Sequence, residues 1–598
     1  MSHYTAPIRD VFFSLAEVND FAAHYQYMLP ESSYGFDDLE AALPEIGRFA
    51  SEVLAPLNAI GDVEGARCEL GKVSSPPGFS AAYRQYVDGA WPTLAQPEAF
   101  GGMPLPFSAK IAAGEFLQSA NQSWCMYTAL NDGAIKCLIN FATPDLLARY
   151  VPKLVSGEWL ATMCLTESQC GSDLNLLTSR AEPTANGSYL ITGTKIFISS
   201  GDHDFTDNIV HLVLARLPNA PAGTRGISLF VVPKRHINDD GSLGEANKLS
   251  CLSVEHKMGL KGSATCVMAF DGAEGWLVGE ANRGLQNMFV FINKSRLGVG
   301  QQAQGQIEAA YQTSLAYAHE RRAGRAPSGA IDPGQGADAL IHQPDIRRML
   351  MSQKAIAEGG RALIHWCAKC VDISDLGNAA EQREAEQLLG LLIPITKGCL
   401  SELASEMTDY GVQILGGHGY VSEWGLEQRV RDVRVTRIYE GTTGIQAIDL
   451  LARKILGRGR PAFQRLTDIM LAACNDDISE KVKPLQDQLA QAICQWRELT
   501  DDLEAQAQQS NSLLPAIAVD YLMIAGYISL AYMWLKAAAV AENNLAAAQT
   551  TEADFYRAKL QTARFYFDKI LPRIELHKAV IAKGNGVLDC GLALRLPA

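Results

Sequence analysis

The sequence predicts an α+β protein of several domains, in which a β domain lies between helical regions. Three observations support this fold class. The 598 residues are 47% hydrophobic and 20% charged, which is typical of globular chains and long enough for three to five domains. Apolar residues recur at three- and four-residue steps through the first 155 or so residues and again after Gly284. From about Gly157 to Gly279 come short, alternating, β-rich runs separated by turn residues.

The domain bounds follow from these changes of pattern. The helical texture of DDLEAALPEIGRFASEVLAPL and PDLLARYVPKLV gives way to strand-like runs such as SYLITGTKIFI, NIVHLVLARL and GISLFVVP. Helices then return, interrupted by a polar loop at 326–339, and GRGRP at 457–461 reads as a boundary. We therefore predict four domains, namely a helical N-terminal domain 1–157, a middle β domain 158–280, a helical domain 281–457 and an additional helical domain 458–598.

The added C-terminal region carries its own helical signal. Its clearest helix has an apolar stripe at steps of three and four residues, formed by Leu485, Leu489, Ile493, Trp496, Leu499 and Leu503. An uncharged stretch, 521–535, is shorter than the roughly 20 residues that cross a bilayer. We therefore expect a buried core helix there and no membrane span.

Charge and cysteine usage narrow the function classes. The formal net charge is −14, and residues 460–598 contribute −2, which argues against a general nucleic-acid binder. The 13 cysteines show no paired spacing of a secreted scaffold, and the N-terminus lacks the pattern of a signal peptide, so we expect a cytoplasmic protein with reduced thiols. The lone Cys367/Cys370 pair has no second pair or His pair to complete a zinc site, and we predict no metal.

Three segments carry residue types that plain packing does not require. They are MCLTESQCGSD (163–173), TKIFISSG (194–201) and RVTRIYEGTTGIQ (434–446). The first could hold a polar ring edge or an anion, the second could wall a flat ring, and the third places Glu440 before Gly-Thr-Thr-Gly. Each also has a plain structural interpretation, as a polar turn, a strand end or a surface helix terminus.

Taken together and in order, these segments make the chain resemble the acyl-CoA dehydrogenase family. The resemblance covers about 35–456, and the extra C-terminal domain is similar to a longer subgroup that includes bacterial fatty acyl-CoA and 3-methylmercaptopropionyl-CoA dehydrogenases. The residues that carry it are Thr166-Glu167, Gly171-Ser172-Asp173, Lys195 to Ser199, His256 to Gly259, Ser295-Arg296, Glu320-Arg321, Gln413 to Gly417 and Tyr439 to Thr442.

The resemblance implies a barrel-like middle domain, a C-terminal four-helix bundle and a flavin-dependent reaction. FAD accepts the β hydrogen of an acyl-CoA as hydride at its N5, and a carboxylate removes the α proton. By position that catalytic base is Glu440. Some relatives carry the base before the family's Arg, but here that residue is Ser295, which cannot act as one.

The resemblance also assigns binding residues. Met163, Leu165 and Thr166 would line the flavin edge, Phe197 and Ser199 would cover the ring, and Arg321, Gln413, Gly417 and Thr442 would hold the rest of FAD, partly across a dimer interface. Substrate contacts fall to Ser172, Arg296 and Gly441. Phe197 stands where many relatives have Trp, and ERRAGR (320–325) replaces the usual motif around Arg321.

Several functions remain open at this stage. The leading one is oxidation of medium- or long-chain fatty acyl-CoA in β-oxidation, with electron-transfer flavoprotein as electron acceptor, and the alternative is 3-methylmercaptopropionyl-CoA dehydrogenase. An acyl-CoA oxidase and a DNA-binding flavoprotein of the same fold are further alternatives, while Glu440 in its full motif disfavours an inactive scaffold. We predict a homodimer, because the extra domain of this subgroup is thought to occupy the surface where shorter relatives join a second dimer.

Overall fold

The computed structural model describes residues 4–238, 240–476, 479–507, 512–547, 551–586 and 588. Backbone contacts divide the chain into two compact units, one formed by residues 41–298 and the other by residues 1–40 with 299–598. The first unit combines helices with a mixed sheet, and the second is helical. The predicted fold class is confirmed, and the four domain bounds stay predictions.

In the described part of the chain, nine α-helices precede the main sheet. A typical one is 144–155, which begins with Pro144 at its first turn and buries Leu146, Tyr150 and Leu154 on one face. Their bounds are α1 Ile8–Phe12, α2 Phe21–Met28, α3 Phe36–Phe49, α4 Ala55–Glu64, α5 Phe79–Asp88, α6 Phe107–Ala120, α7 Gln122–Thr128, α8 Asn131–Phe141 and α9 Pro144–Val155.

The strands form one seven-stranded sheet and two small hairpins. The sequence pattern did not predict the first hairpin, whose strands have only three residues each. The strands are β1 Arg67–Glu69, β2 Lys72–Ser74, β3 Leu160–Cys164, β4 Arg180–Pro183, β5 Tyr189–Ser199, β6 Ile209–Arg216, β7 Ile227–Pro233, β8 Arg235–Ile237, β9 Leu243–Ala246, β10 Leu249–Val254 and β11 Thr265–Leu277.

The sheet closes on itself, as the barrel-like prediction requires. Along the main path the order is β10-β11-β5-β4-β6-β3, and β7 pairs with both β11 and β6. Strands β11, β5, β4, β6 and β7 therefore make a closed ring, with β10 and β3 added at its sides. Strand β6 is buried from Ile209 to Ala215, as expected for a strand covered on both faces.

The second unit is built around long helices. Helix α12 begins with a reciprocal cap between Asn378 and Glu381, and a π-helical segment, Asp449–Arg458, continues α15. The helix bounds are α10 Gly284–Glu320, which begins in the first unit, α11 Pro344–Leu376, α12 Ala379–Leu415, α13 Gly417–Tyr420, α14 Leu426–Val433, α15 Thr443–Ile448, α16 Arg460–Ala473, α17 Lys483–Ala507, α18 Leu513–Ala546, α19 Ala553–Phe565 and α20 Arg573–Ile581.

Helix α18 is the core helix of the added region. It packs on α11 and α12, where the Trp534 indole N–H donates to the Ala355 carbonyl at 2.9 Å. Gly526 lies so close to Cys399 that a Cβ there would be 2.2 Å from the sulfur. The prediction that apolar helices near 516–541 bury against the dehydrogenase-like helices is therefore confirmed.

A buried ionic cluster ties the N-terminal segment to the rest of this unit. The Lys559 ammonium pairs with Asp10, and it pairs with Glu358 of α11 at 2.8 Å. The Lys559 side chain is 3% exposed. Residues far apart in sequence thus share one ionic contact, which no local pattern predicts.

Among the residues that the structure describes, two helices, α12 and α18, are long and apolar enough to cross a membrane by length and composition. Most of each apolar window is buried within the protein, 83% and 72% respectively, as in the core helices of globular proteins. The absence of a membrane span stays a prediction.

Candidate active site

Within residues 41–298, the two predicted ring-binding segments lie side by side. Strand β3 leads into the 165–173 loop, and the Ile196 N–H of β5 donates to the Thr166 carbonyl at 2.9 Å. Met163 and Leu165 are half-buried against the domain core. The structure therefore brings together Met163, Leu165 and Thr166 with Phe197 and Ser199, and their contacts with a flavin stay predictions.

A buried ion pair holds these segments together. The Lys195 ammonium, 0% exposed, lies 2.8 Å from a carboxylate oxygen of Glu167 and also donates to the Leu165 carbonyl at 3.2 Å. The main-chain N–H and hydroxyl groups of Thr178 and Ser179 donate to the same carboxylate. Burial would raise the pKa of Glu167, but the Lys195 charge and these donors hold it well below its usual range.

Phe197 has a strained and exposed conformation. It lies in a β-bulge, because β5 advances from Lys195 to Ile198 while β11 advances only from Met268 to Cys266. Its φ is +57°, in the left-handed region that a bulky residue seldom adopts, and its side chain is 59% exposed. Strain of this kind is typical of ligand-binding positions, and it presents an aromatic face away from the sheet.

We expect Phe197→Gly to stabilise the flavin-free protein and weaken flavin retention. Glycine adopts positive φ without steric cost, so the gain should be about 1 kcal/mol, whereas the lost ring removes roughly 1 kcal/mol of stacking. Phe197→Leu is the matched control, because it keeps the strain and also lacks the ring. Thermal unfolding and flavin release on dilution check both; a Gly variant that holds flavin as tightly as the parent would contradict the stacking role.

Two predicted substrate residues, Ser172 and Arg296, also belong to this unit. Ser172 is exposed in the loop after Glu167 and Cys170, whose main chains exchange two hydrogen bonds. Arg296 is half-buried on α10. Their roles in substrate binding stay predictions.

Within the second unit, Glu440 and its neighbours form a tight turn. Glu440 has φ +55° and Gly441 has φ +92°. The Thr442 hydroxyl oxygen then caps α15 by accepting from the Ile445 N–H at 3.3 Å. The Glu440, Gly441 and Thr442 positions thus lie at the N-terminus of α15.

Helix α12 anchors this turn through contacts that the sequence analysis missed. The Lys397 ammonium donates to the Gly441 carbonyl at 2.6 Å. The Ser401 hydroxyl donates to the Thr436 carbonyl at 3.2 Å, and the Glu402 carboxylate accepts from the Thr443 hydroxyl at 2.6 Å. One signal was available, since Lys397 stands alone within the apolar run LLGLLIPITKGCL.

Arg321, Gln413 and Gly417 occupy an exposed region of the same unit. Gln413 lies in the last turn of α12, Gly417 begins α13, and Arg321 follows the end of α10. The Tyr317 hydroxyl and His418 Nδ1, 2.8 Å apart, join the ends of these helices. All three predicted cofactor residues are exposed.

No cluster of three or more His, Cys, Asp or Glu side chains that could hold a metal occurs among the described residues. The Cys367 and Cys370 thiols are buried in α11, and burial raises the pKa of Cys367 to about 12. Their environment suits packing rather than thiolate chemistry.

Sequence profiles of known families match most of the chain. Three of them describe the N-terminal, middle and C-terminal domains of acyl-CoA dehydrogenases, and they match residues 38–158, 162–273 and 282–456. A fourth, described as acetyl-CoA dehydrogenase C-terminal like, matches residues 466–589.

Characterised relatives share nearly the whole length. The chain is 40% identical to a 3-methylmercaptopropionyl-CoA dehydrogenase of Ruegeria pomeroyi over 98% of this chain and 100% of the relative. It is 34% identical to the broad-specificity linear acyl-CoA dehydrogenase FadE5 of Mycobacterium tuberculosis, over 97% and 98% of the two chains. A butyryl-CoA dehydrogenase of Syntrophomonas wolfei is 33% identical over 96% of both.

Solved structures share the fold. Caenorhabditis elegans ACDH-11, solved in complex with C11-CoA, superposes with a TM-score of 0.78 at 20% identity, covering 99% of this chain and 96% of that one. Butyryl-CoA dehydrogenase of Megasphaera elsdenii superposes with a TM-score of 0.57 at 22% identity, covering 69% and 97%. The difference in coverage reflects the length of the present chain beyond the shorter enzyme.

Proposed function

The chain belongs to the acyl-CoA dehydrogenase family, and from that premise we propose that its substrate is 3-methylmercaptopropionyl-CoA. The enzyme is an FAD-dependent oxidoreductase of acyl-CoA thioesters. The observation that carries the substrate proposal is the 40% identity to the Ruegeria pomeroyi enzyme over both full lengths, against 33–34% for relatives named for straight-chain substrates.

The described residues fit the flavin that the family uses. The exposed ring of Phe197 offers a flat apolar surface, and the half-buried Thr166 lies on the neighbouring segment, where its carbonyl accepts from the Ile196 N–H. When bound, FAD supplies the two-electron acceptor for the β hydrogen. Phe197, Ser199 and Thr166 would orient the ring, and the Glu167–Lys195 pair would keep their segments in register.

Glu440 would accept the α proton at its carboxylate. The two electrons of the α C–H bond then form the new α,β double bond as the β hydrogen leaves with its own pair, so the product is the trans-2-enoyl thioester. The positive φ values of Glu440 and Gly441 give this segment a turn that ordinary helix would not allow. A positioned general base contributes roughly 10²–10⁴-fold to such a step.

The substrate test compares 3-methylmercaptopropionyl-CoA with pentanoyl-CoA and with longer acyl-CoA thioesters. In pentanoyl-CoA a CH₂ group replaces the sulfur, so this pair separates a preference for sulfur from a preference for chain length. We expect kcat/KM to be highest for the sulfur substrate and roughly tenfold lower or more for octanoyl- and palmitoyl-CoA. A value that rises steadily with chain length would instead support the second candidate, a medium- or long-chain enzyme, which the full-length match to FadE5 favours.

We propose electron-transfer flavoprotein as the electron acceptor and a homodimer as the assembly. The support for the dimer is the exposed position of Gln413 and Gly417, which the family resemblance places at a shared cofactor site, beside Tyr420, 83% exposed. Turnover with an artificial dye but without peroxide formation in air would separate the dehydrogenase from an oxidase.

A further inference from the structure

We propose that Lys397 and Gln446 are positioning residues that set the orientation of the Glu440 carboxylate by holding the two peptide carbonyls on its C-terminal side. This inference rests on the proposed function, since it assumes that Glu440 is the base. A buried lysine of α12 and a buried glutamine of α15 both donate hydrogen bonds to this short turn.

Gln446 holds the first carbonyl. Its side-chain amide N–H donates to the Glu440 carbonyl at 2.9 Å, and the residue is 1% exposed. The approach requires glycine at 441, because a Cβ there would lie 2.6 Å from the Gln446 nitrogen. Glycine at 441 is therefore what leaves room for Gln446 to reach the Glu440 carbonyl.

Lys397 holds the second carbonyl. Its ammonium donates to the Gly441 carbonyl at 2.6 Å, a short distance typical of a charge-assisted hydrogen bond, and its side chain is fully buried in α12. A buried ammonium carries a large desolvation cost, whereas a neutral residue would pack at no such cost. The carbonyl that this ammonium contacts belongs to Gly441, the residue after Glu440, so the charge is directed at the turn.

The two contacts fix consecutive peptide planes. The Glu440 carbonyl belongs to the 440–441 peptide and the Gly441 carbonyl to the 441–442 peptide. Glu440 has a positive φ, a conformation that is sparsely populated for a residue with a side chain and that relaxes unless it is held, whereas Gly441 adopts its positive φ without strain. Release of either carbonyl would therefore change the direction of the Glu440 Cα–Cβ bond and move the carboxylate. Displacement of a reacting group by about 1 Å costs roughly 100-fold in rate.

The first experiment uses Lys397→Met, which keeps the length and removes the donor. We expect kcat to fall by roughly 10- to 100-fold with KM for the acyl-CoA changed by about threefold or less, because the contact serves the base rather than substrate binding. A second readout does not depend on turnover. In D₂O, deuterium should enter the α position of (methylthio)acetyl-CoA more slowly with the Lys397→Met variant than with the parent. This thioester has an α hydrogen but sulfur at the β position, so it cannot be dehydrogenated.

The second experiment uses Gln446→Glu, which preserves size and shape. The introduced carboxyl can donate to the Glu440 carbonyl only when protonated. We therefore expect the ratio of variant to parent kcat to fall as pH rises. A purely structural role for Gln446 predicts a ratio that does not change with pH, and hydrogen exchange of peptides spanning 436–446 should report the loosened turn directly.

Lys559→Met is the matched control, because Lys559 is also buried in the same unit, and the groups its ammonium contacts, which include Asp10 and Glu358, lie far along the chain from Glu440. It should lower stability and leave kcat within about threefold of the parent. The proposal is wrong if Lys397→Met also stays within that range, if Lys559→Met loses as much activity, or if the Gln446→Glu ratio is flat with pH. A parent protein inactive on every acyl-CoA would refute the proposed function instead, and should the Lys397 variant not fold, the Gln446→Glu ratio still decides.

Discussion

Replacing Glu440 with Gln should reduce the rate of acyl-CoA oxidation by at least roughly 10²–10⁴-fold, the contribution of a positioned general base. Glutamine keeps the size and the turn but cannot accept the α proton. The protein should remain yellow and should still bind acyl-CoA, because the substitution changes neither the size of the side chain nor the neighbouring residues. Anaerobic mixing with substrate, followed by flavin absorbance, measures the effect.

The control for this variant is Glu423→Gln, an exposed carboxylate in a short turn of the same unit. It should oxidise acyl-CoA at the parent rate. Retention of full activity by the Glu440 variant, or an equal loss in the Glu423 variant, would refute the assignment of the base.

Lys195→Met should destabilise the middle β domain by about 3–5 kcal/mol, because Glu167 would be left as a buried carboxylate without its ammonium partner. Hydrogen exchange of β5 and of the 165–173 loop measures the local free energy of opening, and flavin release should accelerate in parallel. The double variant with Glu167→Gln should recover part of the loss, since the uncompensated charge is then absent.

An exposed pair provides the control. Lys153 and Glu158 lie 2.6 Å apart with side chains 39% and 54% exposed, so Lys153→Met should cost about 1 kcal/mol or less. Equal losses at the two lysines would show that burial of the Lys195 pair has no energetic consequence.

The same pair predicts a pH dependence. The pKa of Glu167 is depressed in the folded protein below its ordinary value of 4.5. Its ionised form therefore contributes stability that is present above that value and is lost as the pH falls toward the folded pKa. Glu167→Gln should flatten this part of the acid-unfolding curve.

Much of the fold could be predicted from local pattern. Alternating runs with turn residues between them predicted the strands of the middle domain, and apolar steps of three and four predicted helices such as α9 and α17. The hairpin β1–β2 escaped prediction because strands of three residues are too short to show a period. The Asp10–Lys559 contact joins the two ends of the chain, and nothing local to either residue records it.

The site was predictable by residue type but not by conformation. Sequence order identified Phe197 and Glu440, yet the positive φ of each depends on strand register and on contacts from distant residues. The bulge at Phe197 exists only because β5 pairs with β11 one residue out of step. Lys397 lies more than forty positions before Glu440, and only the folded chain shows that α12 reaches the turn.

Anaerobic single-turnover mixing with 3-methylmercaptopropionyl-CoA, for the parent and for Glu440→Gln side by side, tests both the base and the substrate. We expect rapid bleaching of the flavin absorbance in the parent, an enoyl thioester as the product, and persistent yellow colour in the variant. Equal bleaching in the two proteins, or none in the parent with this or any other acyl-CoA, would contradict this expectation.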